Sequence, residues 1–328
     1  MMRVLVTGAG GFLGQAVVGA LLQKGYAVRG LYRHGSPSQE NTPMEVVIGD
    51  IRDRAAMKAA VKGCWAVVHL AGKVHADHGT HSNAEDYHSI NVEGTRFLLE
   101  GALAQNVQRF VFASSVKVFG ETTDGCVDES HMPAPVSHYA KSKWAAEQLV
   151  NALASSGRLL GISLRIPMVY GPTEKGNLFR MLVAIDRGWF PPLPRIPSVR
   201  SMLHIRNFVQ AVIRSLQADQ PLKPCYIVTD AKPYCVTTIY EQLCAGLGKP
   251  IPAWRIPLWV LNAAGSAGDM LQPLMKRPIP LTRETLRKLI EPAWYCSDSI
   301  TRDMGYAPEY DFQDALPELV AFYRRFAS

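Results

Sequence analysis

The chain has 328 residues, 48% of them hydrophobic, enough for a large core and two unequal lobes rather than one small module. Its 35 basic and 28 acidic residues leave a net charge of +7, but no basic run exceeds the pairs Lys276-Arg277, Arg287-Lys288 and Arg324-Arg325. That scatter excludes the clustered stripe of a nucleic-acid groove and suits an anionic small molecule.

In chain order, apolar runs alternate with helical patterns. Strands are predicted at 3–7, 27–32, 45–48, 66–70, 109–113 and 161–166, with helices over 12–24, 54–61, about 84–105 and about 137–154. Strands without polar alternation, separated by amphipathic helices, imply a parallel sheet covered on both faces, so the fold class is a doubly wound α/β domain of the Rossmann kind. Beyond Pro172 the texture changes, with Pro191-Pro192, Pro194, Pro250, Pro252, Pro257, Pro273, Pro278 and Pro280 punctuating short elements. The expected division is 1–170 plus about 202–229 for the dinucleotide-binding domain, and about 171–201 with 230–328 for a smaller carboxyl-terminal substrate lobe. No stretch approaches the roughly 20 apolar residues of a membrane-spanning helix. The apolar run from Leu258 to Gly268 stops at Asp269; with Arg255, Lys276 and Arg277 around it, weak association with a membrane surface is conceivable, but a buried helix of the substrate lobe is the favoured reading. Six cysteines (Cys64, Cys126, Cys225, Cys235, Cys244, Cys296) lie far apart without Cys-x-x-Cys or zinc spacing, which reads as reduced thiols in a cytoplasmic protein with no metal.

The first strand runs into Gly8-x-x-Gly11-Phe12-Leu13-Gly14 and then an apolar helix. This is the context in which glycines permit a tight turn and close backbone approach while helix amides face a pyrophosphate. At the end of the second strand, where an acid normally meets the ribose 2′-hydroxyl, stand Tyr32 and Arg33. A guanidinium there suits a 2′-phosphate, so the cofactor is NADP or NAD, with NADP slightly favoured, although a solvated surface arginine is nearly as good a reading. Asp50 and Ile51 after the third strand are placed to meet the adenine, and Leu70, Ala71 and Gly72 end the fourth strand beside the cofactor.

The fifth strand closes on Ser114-Ser115, and Tyr139 and Lys143 follow four residues apart in Ser-His-Tyr-Ala-Lys-Ser-Lys-Trp. On a helix that spacing puts phenol and ammonium on one face, where the cation lowers the phenol's pKa from about 10 toward working pH. Serine, tyrosine and lysine then form a donor to a carbonyl oxygen, an acid/base and its tuning cation. Taken singly, each has a plain reading as cap, half-buried aromatic or solvated charge; their joint placement with the glycine turn is what points to chemistry.

With Thr7-Gly8-x-x-Gly11-x-x-Gly14, Gly49-Asp50, His69-Leu70-Ala71, Asn91-Val92-x-Gly94-Thr95, Ser114-Ser115-x-x-Val118-Phe119-Gly120, Tyr139-x-x-x-Lys143 and Arg165-Ile166-Pro167-x-Val169-Tyr170-Gly171-Pro172, the sequence resembles the extended short-chain dehydrogenase/reductases, the NAD(P)-dependent epimerase/dehydratase group. The resemblance implies that Tyr139 is the acid/base, that Lys143 bonds the nicotinamide ribose, that Ser115 holds the substrate oxygen and that Pro167 packs by the nicotinamide. His69-Leu70-Ala71-Gly72-Lys73-Val74-His75, Ser114-Ser115-Val116-Lys117-Val118 and Gly176-Asn177-Leu178 look like bacterial nucleotide-sugar 4-epimerases and 4-keto-sugar reductases of surface-polysaccharide synthesis. By that likeness Lys117, Asn177 and Arg200 are substrate residues, with Asn177 and Arg200 on the diphosphate of a nucleotide-sugar partner, probed against the plain readings of a helix cap and a surface charge. The group's usual homodimer pairs the helix bearing Asn91 with the helix bearing Tyr139.

One departure narrows the chemistry: where the dehydratases carry an Asp-Glu pair after the position of Ser115, this chain has Val116-Lys117, which argues against elimination of water. Epimerase and net reductase both stay open. The stretch with Trp254, Trp259 and Pro278-Ile279-Pro280-Leu281-Thr282-Arg283-Glu284 resembles the branch acting on 3β-hydroxysteroids or long-chain 3-keto acids, an alternative substrate class. A non-catalytic nucleotide-sensing regulator is disfavoured because both Tyr139 and Lys143 are retained.

Overall fold

The computed structural model describes residues 2–35, 43–74, 83–174, 176–196, 198–219, 223–272, 275 and 282–327, without the side chains of 288 and 289. His75, Lys276-Arg277 and the prolines at 197, 221, 273, 278 and 280 lie outside the described residues. In order the elements are β1 (Arg3–Thr7), α1 (Phe12–Gln23), β2 (Ala27–Tyr32), β3 (Glu45–Ile48), α2 (Arg54–Ala60), β4 (Ala66–His69), α3 (Ala84–Tyr87), a π-helical stretch (His88–Glu93), α4 (Gly94–Ala104), β5 (Arg109–Ser115) and a 3₁₀ turn (Val116–Phe119). They continue with β6 (Cys126–Val127), α5 (His138–Ser155), β7 (Leu160–Ile166), β8 (Met168–Tyr170), α6 (Asn177–Asp186), β9 (Val199–Arg200), β10 (Met202–His204), α7 (Ile205–Gln217), β11 (Cys225–Ile227) and β12 (Tyr234–Cys235). The chain ends with α8 (Val236–Leu247), α9 (Leu258–Leu271), α10 (Arg283–Ile290), β13 (Trp294–Tyr295), α11 (Asp298–Met304) and α12 (Phe312–Ala327).

Seven parallel strands form the central sheet in the order β11-β7-β5-β4-β1-β2-β3. Successive side chains on a strand point to opposite faces, so both faces must be apolar when helices cover both. Thus Val4, Val6, Ala66, Val68 and Val111 pack on the side of α1 and α7, while Leu5, Val67, Phe110 and Phe112 pack on the side of α2, α4 and α5. A separate apolar core gathers Leu182, Tyr240, Leu243, Phe312 and Leu319 from α6, α8 and α12. The reversal of strand order between β1 and β4 opens a crevice at the carboxyl ends of the strands, the ligand position of such sheets.

Three expectations need correction. The helix read over about 84–105 is interrupted by the π-helical stretch, because Asn91 turns its amide onto Lys73 and Ser142 instead of leaving a regular helix face. The helix at 258–271 is not a buried one: only Leu261, Gly265 and Gly268 are buried, while Leu258, Trp259, Met270 and Leu271 are exposed. Nor are all the thiols free, since Cys126 and Cys296 are joined in a disulfide with 5.8 Å between Cα atoms. A separation of 170 residues hid that pair in the sequence; parallel pairing of β6 with β13 brings the two side by side. Cys64, Cys225, Cys235 and Cys244 remain free.

Candidate active site

The glycine turn leaves β1 and enters α1 with the spacing that close contact demands. A Cβ on Gly14 would lie 2.1 Å from the Gly8 carbonyl oxygen, and one on Gly8, whose φ is +69°, would lie 3.0 Å from the Ala71 amide nitrogen. The Gly11 amide donates to the Gly8 carbonyl at 2.9 Å, which tightens the turn and aims the first amides of α1, at Phe12 and Leu13, toward the crevice. No acidic side chain occupies that first turn, so the amide ends are free to face an anion. A nucleotide pyrophosphate fits a cradle that any side chain would fill.

Behind the turn, Thr7 acts as a hub. Its Oγ1 accepts from the amides of Leu70 (3.2 Å) and Ala71 (3.1 Å) and donates to His69 Nδ1 at 2.8 Å. His69 Nε2 donates to Thr95 Oγ1 at 2.9 Å, because that hydroxyl already gives its proton to the Asn91 carbonyl at 2.6 Å. Burial holds the His69 ring well below its usual range, at about 3, with Lys143 adding to the effect, so the imidazole is a neutral strut. These bonds fix the strand-end segment Leu70-Ala71-Gly72 against the glycine turn.

Asn91 ties the same segment to α5. It accepts from the Lys73 amide at 2.7 Å, and its Nδ2 donates to the Lys73 carbonyl at 3.0 Å and to Ser142 Oγ at 2.8 Å. Ser142 in turn donates to the Tyr139 carbonyl at 2.8 Å. Helix α5, capped by Ser137 on the Ala140 amide, therefore presents Tyr139 and Lys143 at a fixed height above Gly72.

Lys143 is 6% exposed, its Nζ 4.1 Å from the centre of the Phe112 ring. Burial pulls the amine down to about 7, and Glu147 one turn further along opposes that drop. The Tyr139 phenol moves the other way: burial raises it, the hydrogen bond from Ser115 pulls it back, and Tyr87, with its ring 6.3 Å away, raises it again. The expected lowering of the phenol by the lysine does not enter this balance; desolvation sets its direction. Ser115 also accepts from the Lys117 amide at 3.2 Å, so it is both turn cap and partner of Tyr139. It pairs in register with Ile166, which sets Pro167 at the same edge of the sheet.

Around this centre the other residues fall unevenly. Asp50 is held near 2, chiefly by the Arg52 side chain at 2.6 and 3.0 Å, with Arg33 contributing. Arg33 is exposed at the end of β2, close enough to be felt by Asp50. The Ile51 side chain is turned into the core with Leu31 and Met57, packed where a Cβ on Gly94 would be 2.9 Å from it, so only its backbone is left for a ligand. Lys117 is ion-paired with Glu121. Arg200 donates to the Glu291 carbonyl at 2.6 Å, and burial lowers its pKa while Tyr295, Glu121 and Glu291 oppose the shift. Arg200 is therefore a half-buried member of a charged cluster with Lys117 and Glu121, not a loose surface charge. Arg287 feels Glu121 as well and pairs with Glu291 at 2.8 Å, a member that no sequence motif revealed. Asn177 is the exposed first residue of α6 and is not its cap, a place taken by Gly176 without any side-chain bond. It lines a crevice with Tyr170, Gly171 and Thr173, and Gly171 abuts Phe12 of the glycine turn; no contact joins Asn177 to Arg200.

Residues 4–227 match the NAD dependent epimerase/dehydratase family. The chain belongs to that family, as an enzyme of the NAD-dependent superfamily. It is similar to a 2-alkyl-3-oxoalkanoate reductase of Stenotrophomonas maltophilia (strain K279a), 28% identical over 98% of this chain and 99% of the relative. It is also similar to a UDP-glucose 4-epimerase of Vibrio cholerae, 29% identical over 86% of this chain and 89% of the relative. Among solved structures, MoeE5 in complex with UDP-glucuronic acid and NAD shares the fold, with a TM-score of 0.78, 23% identity and 99% of both chains covered.

Proposed function

We propose that the chain interconverts an alcohol and a ketone at C4 of a nucleotide-activated hexose, a UDP-sugar, as a 4-epimerase or 4-keto reductase. The observation that carries this reading is the charged cluster of Lys117, Arg200 and Arg287, gathered around Glu121 and Glu291 and joined to Ser115 through Lys117: cations from three separate elements that can exchange these carboxylates for a diphosphate have no use for an apolar substrate. The nicotinamide cofactor, held by the glycine turn, Leu70, Ala71 and Lys143, supplies hydride exchange when bound. Tyr139 takes or returns the proton of the substrate hydroxyl, and Ser115 orients that oxygen. Lys143, protonated when it meets the cofactor ribose, lowers the phenol that burial alone raises.

Arg33, beside a carboxylate already committed to Arg52, supports a preference for NADP over NAD. The reading extends to a homodimer in the cytoplasm, formed through the helical segment bearing Asn91 and the helix α5 bearing Tyr139. A second reading, reduction of a long-chain 3-keto acid, is supported by the similarity to the Stenotrophomonas reductase along nearly the whole chain.

The test supplies UDP-hexoses and their 4-keto forms with NAD or NADPH, alongside a 2-alkyl-3-oxoalkanoate. Turnover of a UDP-sugar with UDP as competitive inhibitor is the expected result; turnover of the oxoalkanoate with no response to UDP selects the second reading. An NAD that co-purifies with the protein points to epimerisation, and an empty site to net reduction.

A further inference from the structure

Helix α9 reverses the usual burial of an apolar segment. Its buried residues are Leu261, Gly265 and Gly268, where small side chains let α10 approach: a Cβ on Gly265 would lie 3.2 Å from the Arg283 amide nitrogen. At about 100° per residue, the side opposite those three carries Trp259, Ala263, Ser266, Ala267 and Met270. The one charge that reaches it is positive, Arg283 of α10 on Ser266 Oγ at 2.8 Å; Trp259 is 72% and Met270 79% exposed. The face continues onto the neighbouring segments. Ile256 donates its amide to the Pro192 carbonyl at 3.1 Å, and Arg255 reaches the Leu193 carbonyl at 3.5 Å, so the loop with Trp189 lies beside the segment with Trp254. Trp189 and Trp254 are 72% and 63% exposed. Isolated apolar residues on a surface need no explanation, whereas three outward tryptophans grouped with a helix face that bears no acidic side chain do.

The rim decides what covers it. Three carboxylates nearby already have a cation: Asp186 has Lys249, Glu241 has Arg255 and Asp269 has Arg283. Arg187, lying over the Trp189 ring at 5.2 Å, and exposed Arg195 make no ion pair among the described residues. The surplus is therefore positive and sits beside the tryptophans. Tryptophan with arginine around an apolar helix face matches the boundary between headgroups and acyl chains of an anionic bilayer. Among the described residues no helix is long and apolar enough to cross a membrane, so the contact would lie in the surface plane.

We propose that the face built from α9 and the adjoining loops 187–195 and 251–257 docks the protein on an anionic lipid bilayer. The inference is independent of the substrate reading, because it uses no residue of the candidate active site. The experiment is flotation of the full chain, without substrate, with vesicles of phosphatidylcholine alone and of phosphatidylcholine with phosphatidylglycerol at low ionic strength. The wild-type chain floats with the anionic vesicles. The variant W259E/M270E, changed only on the outward side, loses at least about tenfold in partition, and R187E/R195E abolishes the preference for anionic over neutral lipid. Near-ultraviolet circular dichroism and NAD(P) binding serve as controls that both variants fold. Wild-type protein that stays with the unbound fraction on both lipids overturns the proposal. So does light scattering in which W259E/M270E turns an oligomer into monomers, since the face would then be covered by a second copy of the chain.

Discussion

Replacing Glu147 by Gln tests how the site is supported. Glu147 is wholly buried, accepts from Arg165 at 2.6 and 3.2 Å and takes a further bond from Ser114 at 2.7 Å. Arg165 is itself 3% exposed, and its Nη1 has no hydrogen-bond partner; its guanidinium lies 4.7 Å from the Phe119 ring. Glutamine keeps the shape but leaves a buried guanidinium without its counter-charge, a loss of about 3–5 kcal/mol. For a chain of 328 residues, an unfolding entropy of about 2.1 cal/mol/K per residue gives about 0.7 kcal/mol/K, so the melting temperature falls by about 4–7 °C.

The same substitution reaches the chemistry. Glu147 is the charge that opposes the depression of Lys143, so its removal drives that amine further below about 7. Cofactor binding that needs the protonated amine then loses its alkaline limb at lower pH than in the wild type. Scanning calorimetry and a pH series of NAD(P) binding read the two effects. The variant E147L/R165M, which removes both charges, recovers most of the lost stability while keeping the altered pH limb. A change in melting temperature below about 1 °C for E147Q, or a double variant no more stable than E147Q, would refute the reasoning.

Lys143→Met lowers turnover at least about a hundredfold. It also raises the melting temperature of the cofactor-free protein near pH 6: Lys143 is protonated below about 7 in the folded chain but up to about 10.5 unfolded, so its burial cost is full below about 7 and fades as pH rises. A stability gain that stays constant to pH 10 contradicts this. Tyr139→Phe loses turnover by at least about a hundredfold with cofactor binding intact, as single-turnover kinetics and cofactor titration will show. Thr7→Val strands the Leu70 and Ala71 amides and costs about 1–3 kcal/mol in denaturant unfolding; an unchanged midpoint contradicts the hub role. Thiol titration of denatured, unreduced protein gives four thiols, and six would remove the Cys126–Cys296 bond.

The fold was legible because its signals are local. Apolar runs such as Val4-Leu5-Val6 and Ala66-Val67-Val68 have no polar face, which only a sheet covered on both sides accommodates. The glycine turn, Ser115, Tyr139 and Lys143 were legible for the same reason, each being set by spacing along one strand or helix. What stayed hidden depends on partners far apart in the chain: the disulfide across β6 and β13, the reach of Arg287 to Glu121, the ion pair of Glu147 with Arg165. The outward face of Leu258 to Gly268 is not legible in the sequence, because composition gives hydrophobicity but not direction. Gly265 and Gly268 carry the buried face with almost no side chain, which leaves Trp259 and Met270 to point outward.

These separate observations meet in one helix. Successive turns of α5 carry Tyr139, Lys143 and Glu147, so the phenol proposed as acid/base, the amine proposed to meet the cofactor and the carboxylate anchored to β7 through Arg165 are one rigid row. Burying an amine costs stability, and the ion pair one turn away offsets that cost by fixing the helix against the sheet. A change at Glu147 therefore alters the proton affinity of Lys143 without touching a ligand. It makes Glu147 a positioning residue whose effect is read in the pH dependence of binding, a readout that mere loss of packing would leave in place.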